Sequence, residues 1–395
     1  MTAPCPFELK IPDTAIQDLR ERLGRTRFPD QAPGEPWAYG TDLAWMRELV
    51  EYWQTKFNWR AQEARLNAFP QFKVELAGVD IHYLHVQGKG PNPMPLLLSH
   101  GWPGSVFEFL VLIPMLTDPA RFGGDPADAF TVVAPSLPGF GLSFTAGQPR
   151  LGVEQMADAF ASLMTDVLGY PRFATQGGDW GASVSSRLGF AHPDKTIGVH
   201  LNLLPLRRDP TRVLSAVPTP EERRYLDELK HWIGEETGYA TLQATKPQTL
   251  AFAMTDSPAG LAAWISEKFR TWSDCGGDVE SVFTKDEMLA NISLYWFTAA
   301  IGSSFWPYYA RHHGPWPIPD GQTVDVPMGY CEFPTEIVRP PRSLAQRTFT
   351  NIQRWSVMPR GGHFAAMEQP EALAAEIREF YRPLRTGSYA HRLIG

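Results

Sequence analysis

The chain has 395 residues, 43% hydrophobic and 20% charged, enough for one large core plus an inserted or appended unit. The formal net charge is -7, and no run of Lys and Arg is interleaved with aromatics, which argues against a nucleic-acid surface. Cys5, Cys275 and Cys331 are too few and too far apart for a disulfide framework or a zinc site. No apolar run is long enough to cross a bilayer, and Met1 to Phe7 lack the pattern of a signal peptide, so a soluble cytoplasmic protein with reduced cysteines is expected.

Residues 1–70 read as an N-terminal extension. Phe7, Leu9 and Ile11 alternate with polar residues and predict a short strand. Asp13 follows as the cap of a helix with Ile16, Leu19 and Leu23 on one face. After a Pro/Gly-rich stretch, Leu43, Met46, Leu49, Val50, Trp53 and Phe57 predict a second helix. From Gln71 the period changes: Val74, Leu76, Val79, Ile81, Tyr83 and Leu84 predict two strands about Gly78, with His82 free to face solvent. Short apolar runs at Pro95 to Ser99, Phe130 to Ala134, Phe173 to Gln176 and Ile197 to Leu204 read as buried parallel strands. Helical stretches such as Val153 to Leu168 separate them, as in an α/β sheet. Residues 71–205 are thus the first part of the core. Residues 206–320 are helical and rich in aromatics, a cap inserted in the fold. Strands return at Val324 to Tyr330 and Arg354 to Met358, and a helix over Pro370 to Tyr381 closes the second part of the core, 321–395.

The strongest local signal is Gly177-Gly178-Asp179-Trp180-Gly181, between a strand and a helix. Glycines crowd one residue onto a tight turn, the form of a nucleophile elbow, with Asp179 in place of the usual serine. A carboxylate is nucleophilic at neutral pH without a base, and attack on saturated carbon leaves an alkyl ester. Alone, the motif is also that of an ordinary turn Asp. His100-Gly101-Trp102-Pro103-Gly104-Ser105 follows a buried strand upstream, where this fold supplies an oxyanion-hole N–H. The backbone N–H groups of Trp102 and Trp180 are the expected donors to the Asp179 carboxyl, worth roughly 3–4 kcal/mol when water attacks the ester; His100 is expected to be structural. His363, in Arg360-Gly361-Gly362-His363, lies where the fold places its general base. The acid should lie between elbow and His363 in the chain. Glu336, in Phe333-Pro334-Thr335-Glu336, fills that place, with Glu332 and Asp325 as rivals.

Together these segments resemble the microsomal-type epoxide hydrolase family, including its insect juvenile-hormone-hydrolysing members and soluble microbial relatives. The matches are HGWPGS (His100 to Ser105), GGDWG (Gly177 to Gly181), ETGY with the following LQATKP (Glu236 to Pro247), FPTE (Phe333 to Glu336) and RGGHFAA (Arg360 to Ala366), in family order, with FELKIPD (Phe7 to Asp13) in the extension. The resemblance covers nearly the whole chain. It implies an α/β-hydrolase fold with a mostly parallel central sheet, a helical cap and the N-terminal extension. It implies Asp179 as nucleophile, His363 as base, Glu336 as its orienting acid, and two cap tyrosines on the epoxide oxygen. Tyr239 matches the first. The second falls in Ser303 to Tyr309, where Tyr308 fits best and Tyr309 is the fallback, because this segment departs from the family wording.

The expected reaction is hydrolysis of a small apolar or aromatic epoxide by water to a vicinal diol, with no metal or organic cofactor, no nucleic acid and no membrane. A homo-oligomer is compatible with the extension and the aromatic cap as contact surfaces. The rivals are a haloalkane dehalogenase using the same Asp, which needs halide donors rather than a tyrosine pair, and a non-catalytic ligand-binding scaffold, for which a broken triad is expected.

Overall fold

The computed structural model describes residues 3–385. Nine strands form one sheet: β1 (Cys5–Pro6), β2 (Gln71–Leu76), β3 (Val79–Val86), β4 (Met94–Ser99), β5 (Phe130–Pro135), β6 (Phe173–Gly177), β7 (Thr196–Leu201), β8 (Met328–Glu332) and β9 (Ile352–Val357). Their order is β1-β2-β3-β5-β4-β6-β7-β8-β9. The first three pair antiparallel and β3 lies antiparallel to β5; β5, β4 and β6 to β9 run parallel. This is the α/β-hydrolase fold. Strands β4, β5, β6 and β7 are buried along their whole length, which is why their sequences are continuous apolar runs rather than alternations.

Several expectations shift. The Phe7 to Ile11 strand is not formed beyond β1, although the Phe7 N–H still donates to the Gln71 carbonyl. Asn67 takes both backbone groups of Leu9 through its side-chain amide, and the Glu63 carboxylate accepts the Ile11 N–H. Side chains of the helix Trp59–Asn67 thus replace a strand ladder. Asp13 lies in the first turn of the helix Asp13–Gly24 and does not cap it; Pro12 holds the cap position and Asp13 accepts from Arg60. The helix Leu43–Thr55 forms, capped by Asp42, but ends before Phe57, which the expected helix included. His82 is fully buried between Ser136 and Gln71, because β3 is flanked by β2 and β5. The Val324 to Tyr330 strand begins only at Met328; Val324 makes an isolated bridge to Phe349. Asp325 therefore lies outside it, exposed, and accepts a hydrogen bond from Thr350. The Ile197 strand ends at Leu201. The Val153 helix ends its last five residues, Leu163–Val167, as a π turn.

Between β7 and β8 the helices Pro220–Glu235, Gly238–Thr245, Pro247–Asp256, Pro258–Thr271, Lys285–Thr298 and Trp306–His313 build the cap. The N-terminal extension clamps it. Trp53 Nε1 donates to Ser293 Oγ at 3.0 Å, Tyr52 Oη to Asp286 Oδ1 at 3.0 Å, and Thr41 Oγ1 to the Ala263 carbonyl at 2.8 Å. The large core joins extension, sheet and cap in one continuous body. Among the described residues no helix is long and apolar enough to cross a membrane, and no three His, Cys, Asp or Glu converge to hold a metal ion.

Candidate active site

Asp179 opens the helix Asp179–Ala191 directly after β6. Its φ is +46°, a left-handed value that costs a non-glycine residue about 1–2 kcal/mol. The turn is tight because the elbow tucks against β4: a Cβ at Gly181 would collide with the Ser99 carbonyl. That close approach requires glycine and projects Asp179 over the ends of the strands.

The Trp102 N–H, just past β4, donates to Asp179 Oδ1 at 2.8 Å. No hydrogen bond joins the Trp180 N–H to Asp179 among the described residues. It lies in the first helical turn, where backbone donors have no intrahelical acceptor. The other carboxylate oxygen, Oδ2, is 3.7 Å from His363 Nε2. His363 Nδ1 in turn is 2.6 Å from Glu336 Oε1. Glu336 is 4% exposed, and the same oxygen accepts the Ile337 N–H at 2.7 Å. The three residues named from the sequence are thus in one line, Glu336 to His363 to Asp179. Glu332 and Asp325 have no contact with His363. Burial opposes a charge on His363. Glu336, by its charge and its hydrogen bond, and then Asp179 outweigh burial and lift the imidazole to about 9.

The His363 loop is tied to the cap. Its N–H donates to the Trp272 carbonyl at 2.8 Å, and the Gly361 N–H donates to Asp274 at 2.8 Å. The Trp272 ring meets the imidazole edge-on at 5.0 Å.

Trp102 also floors the opposite wall. The Tyr239 ring stacks on it at 5.3 Å and 10°, and the Tyr308 ring meets it edge-on at 6.0 Å. The two tyrosine rings are 5.8 Å apart, and both line a narrow cavity with Asp179. The Tyr308 hydroxyl is buried beside the Tyr239 phenol and the Trp180 indole without a well-formed hydrogen bond to either, so a ligand oxygen would improve its bonding. Burial foremost pushes both phenols up, so both stay protonated at neutral pH. Under Tyr239 lies the buried Lys268 ammonium, 4.8 Å from the ring and paired with Glu267 and Glu236. Tyr309 instead stacks on Trp306 and His313 at 4.9 and 4.0 Å and lies outside this group. His100 is structural: the Leu137 N–H donates to its Nε2 at 3.1 Å, so Nδ1 donates to the Gly101 carbonyl at 3.0 Å, and burial lowers its pKa to about 4.

Three residues here were not singled out in the sequence. Glu108 lines a second small cavity with His363 and Asp179. Burial pushes its carboxyl up to about 8 against the pull of His363, and Asp179 adds to the rise. Arg208 and Arg311 line the tyrosine cavity. A lone carboxylate or guanidinium carries no local signal of which cavity it enters.

The fold and the site place the chain among known proteins. Residues 4–109 match the family model described as epoxide hydrolase N terminus, and residues 94–275 that of the alpha/beta hydrolase fold. The chain is 46% identical to a Stigmatella aurantiaca protein assigned by name to the epoxide hydrolases, over 96% of this chain and 85% of that relative. It is 36% identical to Epoxide hydrolase 1 of Oryctolagus cuniculus, over 95% of this chain and 88% of that one. Juvenile hormone epoxide hydrolase from the silkworm Bombyx mori superposes with a TM-score of 0.85 at 32% identity, covering 98% of this chain and 95% of its own. Aspergillus niger epoxide hydrolase superposes at 0.83 and 29%, covering 97% of each chain. With its N-terminal module, hydrolase core and near full-length relatives, the chain belongs to the epoxide hydrolase family.

Proposed function

We propose that this protein converts epoxides to vicinal diols through a covalent ester on Asp179. The observation that carries the reading is the arrangement about that carboxylate. One oxygen is held by the Trp102 N–H, the other lies 3.7 Å from His363, and a pair of protonated tyrosines lines the cavity it opens on.

Asp179 Oδ2 attacks an epoxide carbon, and the C–O bond of the ring breaks. Tyr239 and Tyr308 bind the ring oxygen and donate a proton as alkoxide character develops. Oδ1 becomes the ester carbonyl, already polarised by Trp102, with the Trp180 N–H free to join when charge develops there. His363 then takes a proton from water as it attacks Cγ, and Glu336 holds the imidazole and stabilises its charge. The Cγ–Oδ2 bond breaks. The diol leaves with Oδ2 and takes the second proton of the attacking water, and Asp179 is again a carboxylate with one oxygen from water. The proton His363 gives up on esterification passes through solvent to restore the tyrosine. Esterification also removes the Asp179 charge that helps keep His363 protonated. The base is thereby released at the step that needs it.

The test is His363→Gln with styrene oxide. Intact-mass spectrometry should find a stoichiometric adduct of substrate mass, and a single wild-type turnover in 18O-water should label the enzyme rather than the diol. Halide release from haloalkanes with no epoxide turnover would overturn the reading in favour of a dehalogenase. Absence of any adduct would overturn the two-step scheme.

A further inference from the structure

The tyrosine cavity contains more positive charge than epoxide opening requires. Arg208 follows β7 in the chain, and Arg311 lies one helical turn beyond Tyr308 on Trp306–His313. Both line the cavity with Asp179, Tyr239 and Tyr308. Each guanidinium lies over an aromatic ring. Arg311 Cζ is 4.5 Å from the Trp180 ring and 5.6 Å from Trp316, and Arg208 Cζ is 4.3 Å from Trp232.

Neither arginine has an ion pair or a hydrogen bond among the described residues. Neighbouring arginines do: Arg207 and Arg212 each reach Asp320 at 3.1 Å. Burial, and then repulsion from Arg208, lowers the pKa of Arg311. Asp179 is the one acidic side chain among the residues lining the cavity, so two half-buried guanidinium groups leave it with a surplus of positive charge that a bound anion would offset. The rings position the two guanidinium groups by cation–π contact and take up none of their N–H donors, and an uncommitted guanidinium fork suits a carboxylate.

We propose that Arg208 and Arg311 form an anion subsite, and that the preferred substrates are epoxides bearing a carboxylate close to the oxirane ring. The proposal rests on the epoxide reading above and adds the substrate class. Tyr308 and Arg311 are three residues apart on one helix, a rise of about 5 Å. A carboxylate on Arg311 therefore lies within a few bonds of an epoxide oxygen on Tyr308. Glycidic acids and their near homologues have that spacing. The two cations also offset the repulsion such an acid would meet from Asp179.

The experiment compares 3-phenylglycidate with 3-phenylglycidamide, its neutral counterpart, by kcat/KM for diol formation. Wild type should prefer the acid by at least about tenfold, and the preference should shrink with added salt. Arg311→Gln and Arg208→Gln should each cut the acid-to-amide ratio about fivefold or more, mainly through KM, and Arg311→Lys should restore part of it. A wild-type ratio at or below one overturns the proposal. So do variants that slow both substrates equally, the sign of arginines that only tune the tyrosines. If Arg311→Gln does not fold, the wild-type ratio, its salt dependence and Arg208→Gln still decide. Turnover of the amide without acid preference defeats the subsite alone; no turnover of either compound or of styrene oxide defeats the epoxide reading with it.

Discussion

On the sheet side of the cavity, each group is placed by the end of a parallel strand. Trp102 follows β4, Asp179 β6, Glu336 β8 and His363 β9, the edge where open α/β sheets present their ligand sites. Main-chain donors or acceptors hold them: Trp102 N–H on Asp179, Ile337 N–H on Glu336, the Trp272 carbonyl on His363. On the cap side, Tyr239 and Tyr308 sit on two short helices and are positioned by ring packing against Trp102, Trp180 and each other. The Tyr308 hydroxyl meets its neighbours Tyr239 and Trp180 without a well-formed hydrogen bond. A sheet edge fixes atoms to within a hydrogen bond; aromatic packing fixes planes and leaves polar tips available. We read the first wall as the bond-making machinery and the second as the place where the substrate is selected.

Breaking the sheet side should have the largest effect. Asp179→Ala removes the only group proposed to form the covalent bond. Loss of a nucleophile costs on the order of 10⁴-fold or more in kcat, and no adduct should form even with His363→Gln in the same chain. Retention of more than about a hundredth of wild-type epoxide turnover, with the fold intact by circular dichroism, would mean that water attacks the epoxide directly.

Breaking the cap side should be graded. Tyr239→Phe and Tyr308→Phe each remove one donor to the epoxide oxygen, and loss of one proton donor costs roughly 10²-fold. The loss should fall on the rate of ester formation in a stopped-flow single turnover, not on its hydrolysis. Tyr309→Phe, whose ring stacks outside the cavity on Trp306 and His313, should stay within about twofold. Equal losses in Tyr308→Phe and Tyr309→Phe would show that the helix, not the hydroxyl, matters.

The two walls also differ in how far the sequence alone could be read. Asp179, Glu336 and His363 each follow a strand and sit among glycines or two residues after a proline, so local punctuation marks them. The register of the elbow follows from close approaches that only glycine allows. Tyr239 was reachable only through its ETGY context. From sequence, Tyr308 is preferred over Tyr309 only by its place in the Ser303 to Tyr309 segment, because the face pattern of its helix is blurred by aromatics. Arg208 and Arg311 were not reachable at all: Arg208 lies in an irregular Arg-rich stretch after β7 and Arg311 among aromatics, and neither has a period or spacing that points to a cavity. The extension shows the opposite failure. Phe7, Leu9 and Ile11 alternate as a strand does, yet Asn67 and Glu63 take the backbone groups a strand would use. His82 was misjudged because the pattern could not reveal that β3 has a neighbour on both edges.

The smallest predicted effect is a pH slope, and it separates the walls by charge. The imidazole of His363 is lifted to about 9, above an unfolded value of about 6.5. A folded pKa above the unfolded one means that folding favours the protonated form. That stabilisation is complete below about pH 6.5 and is lost as pH rises through about 9. Glu108, lifted to about 8 in the adjoining cavity, also loses stability with rising pH, from about 4.5 upward. The comparison is therefore made with Glu336→Gln, which leaves Glu108 in place and removes the strongest influence holding the proton on His363. Urea unfolding at pH 6.5 and pH 9.5 should show wild type losing more stability than Glu336→Gln, and NMR titration should place His363 lower in the variant. Tyr308→Phe should leave the slope as in wild type, since its phenol stays protonated across the window. Equal slopes in wild type and Glu336→Gln would mean that Glu336 orients His363 without holding its charge.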